Sequence, residues 1–94
     1  MKRIEKVTNY SVYKRFVNWV SGEFDLYLQQ EEKDLKVYFP NGFFKIGVVK
    51  KTEKQVVVEI LINGKSEKYC EKIFYKLEKI YNSVILFRNE NKLI

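Results

Sequence analysis

The chain has no histidine and no alanine, and only one cysteine and four glycines among its 94 residues. Without histidine, the side chain that most often serves as a general base is missing. The single Cys70 excludes an intramolecular disulfide and a zinc site built on cysteines. The glycines are scattered and form no glycine-rich phosphate-binding loop. These absences weigh against the commonest catalytic sites, and we expect neither a cofactor nor a metal.

Long hydrophobic runs are also missing. No apolar stretch approaches the roughly 20 residues that a membrane span needs, and the start "MKRIEKVTNY" lacks the apolar centre of a signal peptide. A single thiol is compatible with a reducing compartment. We therefore expect a cytoplasmic protein without a membrane partner, located in a cell or in an infected host cell.

Positive charge and aromatic side chains are abundant. The net charge is +6, and hydrophobic residues make up 46% of the chain, which is sufficient for the core of one domain. Basic proteins attract acidic partners such as nucleic acid, although lysine-rich proteomes also produce basic small proteins by default. The bias towards Lys, Ile, Asn, Tyr and Phe is what an AT-rich genome encodes, as in many bacteria and archaea, and in their phages, viruses or plasmids.

Two amphipathic segments predict helices at either end of the chain. "SVYKRFVNWVSG" predicts a helix over 11–21, with Ser11 as its N-cap, Gly22 in a left-handed conformation just past its end, and Trp19 on its buried side. "SEKYCEKIFYKLEKIYN" predicts a second helix over 66–81. "VILF", residues 84–87, is compatible with a short fifth strand. The first eight residues fit either an edge strand or a helical extension.

Between the helices, four runs alternate apolar and polar residues as strands do: "FDLYLQQ", "DLKVYFP", "FFKIGVVKK" and "QVVVEILIN". A two-residue loop at Asn41-Gly42 pairs Phe39 with Phe44, so that apolar side chains meet on one face. To keep the apolar residues of the first two runs on that same face, the loop near Glu31-Glu32 must have an even number of residues. The sequence predicts one two-layer α+β domain over residues 1–94, in which both helices pack on one face of a four-stranded antiparallel meander.

The second helix separates its charges by sign. Its lysines fall within about 80° on a helical wheel, and three glutamates lie on the opposite flank of the apolar stripe. Like charges one turn apart cost a few tenths of a kcal/mol each, so a merely solubilising helix has little reason to accept them, although chance clustering is an alternative. We predict that this flank contacts phosphates or an acidic protein. The basic ridge comprises Lys65, Lys68, Lys72, Tyr75, Lys76 and Lys79.

The face of the sheet opposite the apolar wall mixes aromatic, basic and aliphatic side chains. Aromatic residues beside lysines are typical of single-strand binders, but aliphatic residues and acids accompany them here and leave a small net charge. An apolar surface of this kind is usually covered. We expect a second subunit, a partner protein or the N-terminal segment to cover it. The predicted contact surface comprises Tyr27, Lys36, Tyr38, Phe43, Lys45, Val49, Val57 and Leu61.

Catalysis has little support in the sequence. Cys70 falls on the buried stripe of the second helix with no base near it in the pattern. "DLK", residues 34–36, has the acid-x-Lys spacing of some metal-dependent nucleases, with Asp25 as a possible second carboxylate. Such short patterns are common by chance, and Asp34 also suits a turn before a strand. We expect no enzyme, and nuclease activity is kept as a minor alternative.

The leading hypothesis is a small non-catalytic protein that binds nucleic acid or a nucleoprotein complex through the basic ridge. The alternative is a protein–protein inhibitor or adaptor, of the type that phages, viruses and plasmids encode against host defence enzymes. In that case the open sheet face, or the lysines, would hold a host protein. Phosphate binding weakens steeply with salt, whereas an apolar protein interface does not.

Overall fold

The computed structural model describes the backbone of residues 1–93 and the side chains of residues 1–85. It confirms the α+β fold, with an antiparallel sheet and two helices packed on one of its faces. The elements in chain order are β1 (Lys2–Val7), α1 (Tyr10–Glu23), β2 (Gln29–Glu31), β3 (Leu35–Phe39), β4 (Gly42–Lys51), β5 (Val56–Asn63) and α2 (Glu67–Leu93).

The sheet has five strands in the order β1-β5-β4-β3-β2. Strands β2 to β5 form the predicted meander, and β1 pairs antiparallel with β5, from Lys2 opposite Leu61 to Val7 opposite Val56. The ammonium group of Met1 donates to the Ile62 carbonyl at 2.8 Å, and the Ile62 amide donates back to Met1 at 2.7 Å. The first residues are therefore an edge strand of the sheet, so they extend the outer face instead of covering it.

The β3–β4 hairpin has the predicted parity but a register shifted by two residues. Phe39 pairs with Gly42 and Val37 with Phe44, so the turn residues are Pro40 and Asn41. Asn41 has φ 70°, and a proline followed by a residue with positive φ is the sequence of a type II turn. Since a shift of two preserves the faces of a strand, Phe39 and Phe44 both remain in the core.

The prediction of a strand over residues 24–30 is wrong for most of that run. Helix α1 continues to Glu23, and the strand that pairs with β3 is limited to Gln29–Glu31, preceded by one hydrogen bond from the Tyr38 amide to the Leu28 carbonyl at 2.9 Å. The loop before β3 has an odd number of residues, because Glu31 pairs with Leu35. Gln29 therefore faces the helices, where its side-chain amide nitrogen donates to the Phe24 carbonyl at 2.7 Å. Leu26, at 94% exposure, does not belong to the apolar wall.

Three details of α1 differ from the prediction. The N-cap is Asn9, whose side chain accepts from the Val12 amide at 3.0 Å, so Ser11 is already helical. Gly22 is helical too and has no positive φ. Trp19, predicted to be buried, is 39% exposed. The stripe that does reach the core consists of Val12, Tyr13, Phe16, Val17 and Val20.

Helix α2 is longer than predicted. It runs without interruption through residues 84–87, so the predicted fifth strand at that position is wrong. The β-branched and aromatic residues of "VILF" suggested a strand, but Val84 is fully buried one turn beyond Ile80 and so continues the apolar stripe of the helix. Phe16 of α1 meets Tyr81 of α2 edge-to-face, with ring centroids 5.5 Å apart.

Candidate functional site

Helix α2 is held firmly on its inner side. Ser66 caps its start by accepting from the Tyr69 amide at 3.2 Å. Cys70 is buried, and its thiol donates to the Ile62 carbonyl of β5 at 3.8 Å. Leu77 is fully buried and Ile80 nearly so. The outward residues of α2 are thus carried on a rigid support, and Cys70 has a packing role in this geometry.

All five lysines of the basic ridge are exposed. Two of them lie over aromatic rings: Lys76 Nζ is 4.7 Å from the ring centroid of Phe24, and Lys79 Nζ is 5.1 Å from that of Tyr75. Tyr75 itself is 59% exposed. Within the part of the chain whose side chains are described, no ridge lysine forms a salt bridge. Among the described side chains, the charge of the ridge lysines is therefore not compensated by an ion pair.

The acidic flank of α2 comprises Glu67, Glu71 and Glu78, all of them exposed. Glu67 lies in the first turn, where a carboxylate interacts favourably with the helix dipole. Glu78 lines a hollow that α2 forms with β1. The charge separation predicted from the helical wheel is thus present in the structure, with the acidic flank directed towards the edge strand.

The predicted contact surface on the sheet is largely assembled. Cross-strand pairing brings Lys36 beside Lys45, Tyr38 beside Phe43, and Lys45 beside Leu61. Tyr27 is the exception, because it lies in the loop after α1, where its amide donates to the Phe24 carbonyl at 3.0 Å. The members on the sheet are Lys36, Tyr38, Phe43, Lys45, Val49, Val57 and Leu61.

Three contacts organise the charged groups near Lys36. Lys36 Nζ lies 4.3 Å from the ring centroid of Phe43 and 5.0 Å from that of Tyr38. Lys45 forms a 3.4 Å salt bridge with Asp34. The Asp34 carboxyl lies over Gly47, where a Cβ atom would collide with it. Because Lys36 occupies the aromatic faces, base stacking on Tyr38 and Phe43 would first have to displace it.

Strand β1 contributes residues to this face that the sequence did not assign. Lys2, Ile4 and Lys6 stand opposite outer-face residues of β5, and Lys2 forms a 3.4 Å salt bridge with Glu59. A register shift between Val48 and Lys50 leaves Val49 as a bulge residue, 59% exposed. Ile4 is 54% exposed. No described residue therefore covers Ile4 or Val49 on the outer face, and this face is more basic than predicted.

The two carboxylates of the nuclease alternative belong to different loops. Asp34 is engaged with Lys45, while Asp25 follows α1 in a loop. Among the described residues, no group of three acidic or cysteine side chains is placed to hold a metal ion. The geometry therefore adds no support to the nuclease alternative.

Comparisons with known proteins give no functional assignment: no protein family, no curated protein and no solved structure matches this chain. Within the described residues, no helix has the length and apolar character that crossing a bilayer requires.

Proposed function

We propose that the protein binds nucleic acid, alone or within a nucleoprotein complex, through phosphate contacts of the basic ridge on α2. The observation that carries the proposal is the exposure of five lysines on one flank with no salt bridge to any described acid. Lys68, Lys72 and Lys76 follow one another at intervals of about 6 Å along the helix axis. A row of exposed cations on one helix suits a phosphate backbone, which is read mainly by charge.

The ridge predicts a defined salt dependence. Each phosphate contact lowers the logarithm of the affinity by about 0.7 to 0.9 per decade of salt. Three or four engaged lysines give a slope of roughly −2 to −4. We expect the triple variant Lys68→Gln, Lys72→Gln, Lys76→Gln to bind more weakly, with a slope reduced to about −1. Fluorescence anisotropy with labelled single- and double-stranded oligonucleotides measures both quantities.

A matched control separates the ridge from net charge. Replacing Lys33, Lys50 and Lys54 with glutamine also removes three positive charges, but from exposed positions outside the ridge. This control should keep the parental slope. Equal weakening of both triple variants would show that net charge alone matters, and absence of binding to DNA and RNA at low salt would refute the proposal.

A second candidate is a protein partner, or a second copy of this chain, on the outer face of the sheet. The observation favouring it is the exposed aliphatic surface of Ile4 and Val49 beside the half-buried Leu61 and Val57. An inhibitor or adaptor of host defence enzymes would use such a surface. A pull-down with and without nuclease treatment distinguishes the candidates, because partners held through nucleic acid are lost after digestion.

A further inference from the structure

A cleft of about 250 Å³ opens between the edge strand β1 and helix α2. Its floor is apolar and includes Phe16, Ile60 and Leu77, all three buried. Sites for drug-sized ligands are usually larger, about 300 to 1,000 Å³. The cleft therefore suits a single inserted side chain.

The rim of this cleft is acidic. Glu5 of β1 and Glu78 of α2 both line it. Lys6 also borders it but stands opposite Val57 of the outer face, and the guanidinium of Arg3 lies at its margin. Neither glutamate forms a salt bridge in the described part of the chain. Burial, and then the Glu5 carboxylate, raise the pKa of the Tyr81 hydroxyl at the same rim. Negative potential thus reaches an apolar hollow on a protein whose net charge is +6.

Aromatic rings complete the walls of the cleft. Phe74 and Tyr81 line it together with Phe16. At its margin, the guanidinium of Arg3 lies 4.7 Å from the ring centroid of Phe74. Arg3 therefore already occupies the Phe74 ring, and an inserted guanidinium would stack on Tyr81 or displace Arg3.

The free edge of β1 runs beside the cleft. Met1 and Ile62 exchange both backbone hydrogen bonds, and such pairs alternate along an antiparallel ladder. The backbone groups of Lys2, Ile4 and Lys6 consequently point away from β5, at the edge of the sheet. An extended segment that adds to this edge would direct every second side chain to the helix side, where the cleft lies.

We propose that this cleft receives an arginine of a protein partner whose extended segment pairs with the edge of β1. The methylene stem of the arginine packs on the apolar floor, and the guanidinium pairs with Glu5 and Glu78. Arginine suits the site because its weakly hydrated, planar group stacks on aromatic rings and pairs with carboxylates. Glu78, on the acidic flank of α2, thereby gains a role separate from that of the basic ridge, and the cleft and the ridge can be occupied together.

The test uses the capped peptide acetyl-Thr-Ile-Arg-Ile-Thr-amide and its citrulline analogue, which keeps the shape of arginine without the charge. Titrations of the full chain are followed by NMR at the methyl groups of Ile60 and Leu77 and at the amide of Ile4. We expect saturable shifts with the arginine peptide and affinity at least roughly tenfold lower with citrulline, since hydrogen bonds to charged groups contribute about 1.5 kcal/mol or more.

Variants on one flank of α2 provide the control. Glu5→Gln with Glu78→Gln should lower the affinity for the arginine peptide to that for the citrulline peptide. Glu67→Gln with Glu71→Gln makes the same charge change outside the cleft and should leave the affinity within about twofold, because exposed charges at a distance are screened. Absence of saturable shifts, equal affinity for both peptides, or equal loss in both double variants would overturn the proposal. If the NMR shifts depended on the protein concentration and not on the peptide, the cleft would be occupied by a second copy of the chain. That result would also overturn the proposal.

Discussion

Two glycines show how the surroundings of a residue decide the effect of one methyl group. At Gly42, a Cβ atom would collide with the backbone carbonyl of Asn63, which cannot move without disturbing the β4–β5 ladder. At Gly22, in helix α1, nothing lies within 4 Å of the corresponding position. Neither glycine has a positive φ, so the available space is the difference between the two sites.

The same substitution should therefore have opposite effects at these positions. We expect Gly42→Ala to lower the free energy of unfolding by about 1 to 3 kcal/mol through overpacking. Gly22→Ala should raise it by up to about 1 kcal/mol, because alanine has the higher helix propensity. Urea unfolding followed by circular dichroism measures both, and a destabilising Gly22→Ala would contradict the helical assignment of this residue.

The buried Tyr13 makes the free energy of unfolding depend on pH in the alkaline range. Burial, followed by the nearby negative charge of Asp34, raises the pKa of its hydroxyl from 10.0 to about 12. Above pH 10 the unfolded chain therefore releases this proton first, and the free energy of unfolding falls as the pH rises towards 12. A shift of this size corresponds to a total loss of about 2 to 3 kcal/mol.

We expect the Tyr13→Phe variant to lose less stability than the parent between pH 10 and pH 12, while both behave alike below pH 9. Urea midpoints across this range give the comparison, and the difference between the two proteins removes the contribution of the lysines. If the stabilities of the two proteins fell in parallel with pH, the Tyr13 hydroxyl would ionise equally in the folded and unfolded states.

At the level of elements, strand β1 is the main addition to what the sequence predicted. Along β1, amides that donate to β5 alternate with amides that point to the open edge. Proline cannot donate a hydrogen bond, so proline substitutions at successive positions test which amides are bonded. Glu5 faces Val58 in a hydrogen-bonded pair, whereas the amide of Ile4 points to the open edge. We expect Glu5→Pro to cost about 1 to 3 kcal/mol through the orphaned Val58 carbonyl.

Ile4→Pro should cost distinctly less, because proline is tolerated where the amide faces solvent at a sheet edge. Thermal unfolding of the two variants and the parent checks this order. The reverse order would place the Glu5 amide at the open edge and would remove the basis for adding a partner strand there.

Structure set by interactions between residues close in sequence was predictable, whereas structure set by distant contacts was not. The faces of β3, β4 and β5 follow from local alternation, so they survived a turn placed at Pro40-Asn41 instead of Asn41-Gly42. The run from Phe24 to Leu28 misled because Phe24 is buried as the C-cap of α1 and not as a strand residue. Turn and cap chemistry overrode β propensity in this segment.

The ridge and the cleft also differ in how far the sequence could predict them. The position of the ridge lysines on one exposed flank of α2 followed from the sequence, because residues one turn apart on a single helix share a flank regardless of tertiary structure. Their role in binding stays a prediction. The cleft was missed, because Glu5 and Glu78 meet only after β1 has joined β5. The first residues gave little signal of this strand, because Glu5 and Val7 share its inner face and only Val7 of β1 is buried.

At the scale of the whole molecule, the surfaces differ in charge and position. The ridge lies on the helical layer, while the outer face of the sheet is its opposite surface. On that face, Glu59 and Asp34 are both paired with lysines. Lys6, Lys36 and Lys50 lie near the apolar residues without a salt bridge in the described part of the chain. Two copies meeting through this face would therefore bring lysines close to lysines.

This arrangement predicts opposite responses to salt. Binding of phosphates by the ridge weakens as salt rises. Self-association through the outer face should strengthen, because salt screens the repulsion between lysines within about 10 Å at 0.1 M and leaves the apolar contacts intact. Sedimentation equilibrium at about 50 mM and about 500 mM NaCl tests whether a dimer is more populated at the higher salt concentration.

The variant Val49→Lys locates the interface. It places a charge at the exposed bulge residue in the apolar part of the outer face, and we expect it to abolish the dimer at both salt concentrations. Leu26→Lys is the matched control, since it also replaces an exposed aliphatic side chain with lysine, but in the loop after α1. Leu26→Lys should dimerise like the parent. Equal loss in both variants would trace the effect to net charge, and a monomer of 11.4 kDa under all conditions would exclude self-association. In that last case a different protein partner would be the remaining candidate to cover the exposed Ile4 and Val49.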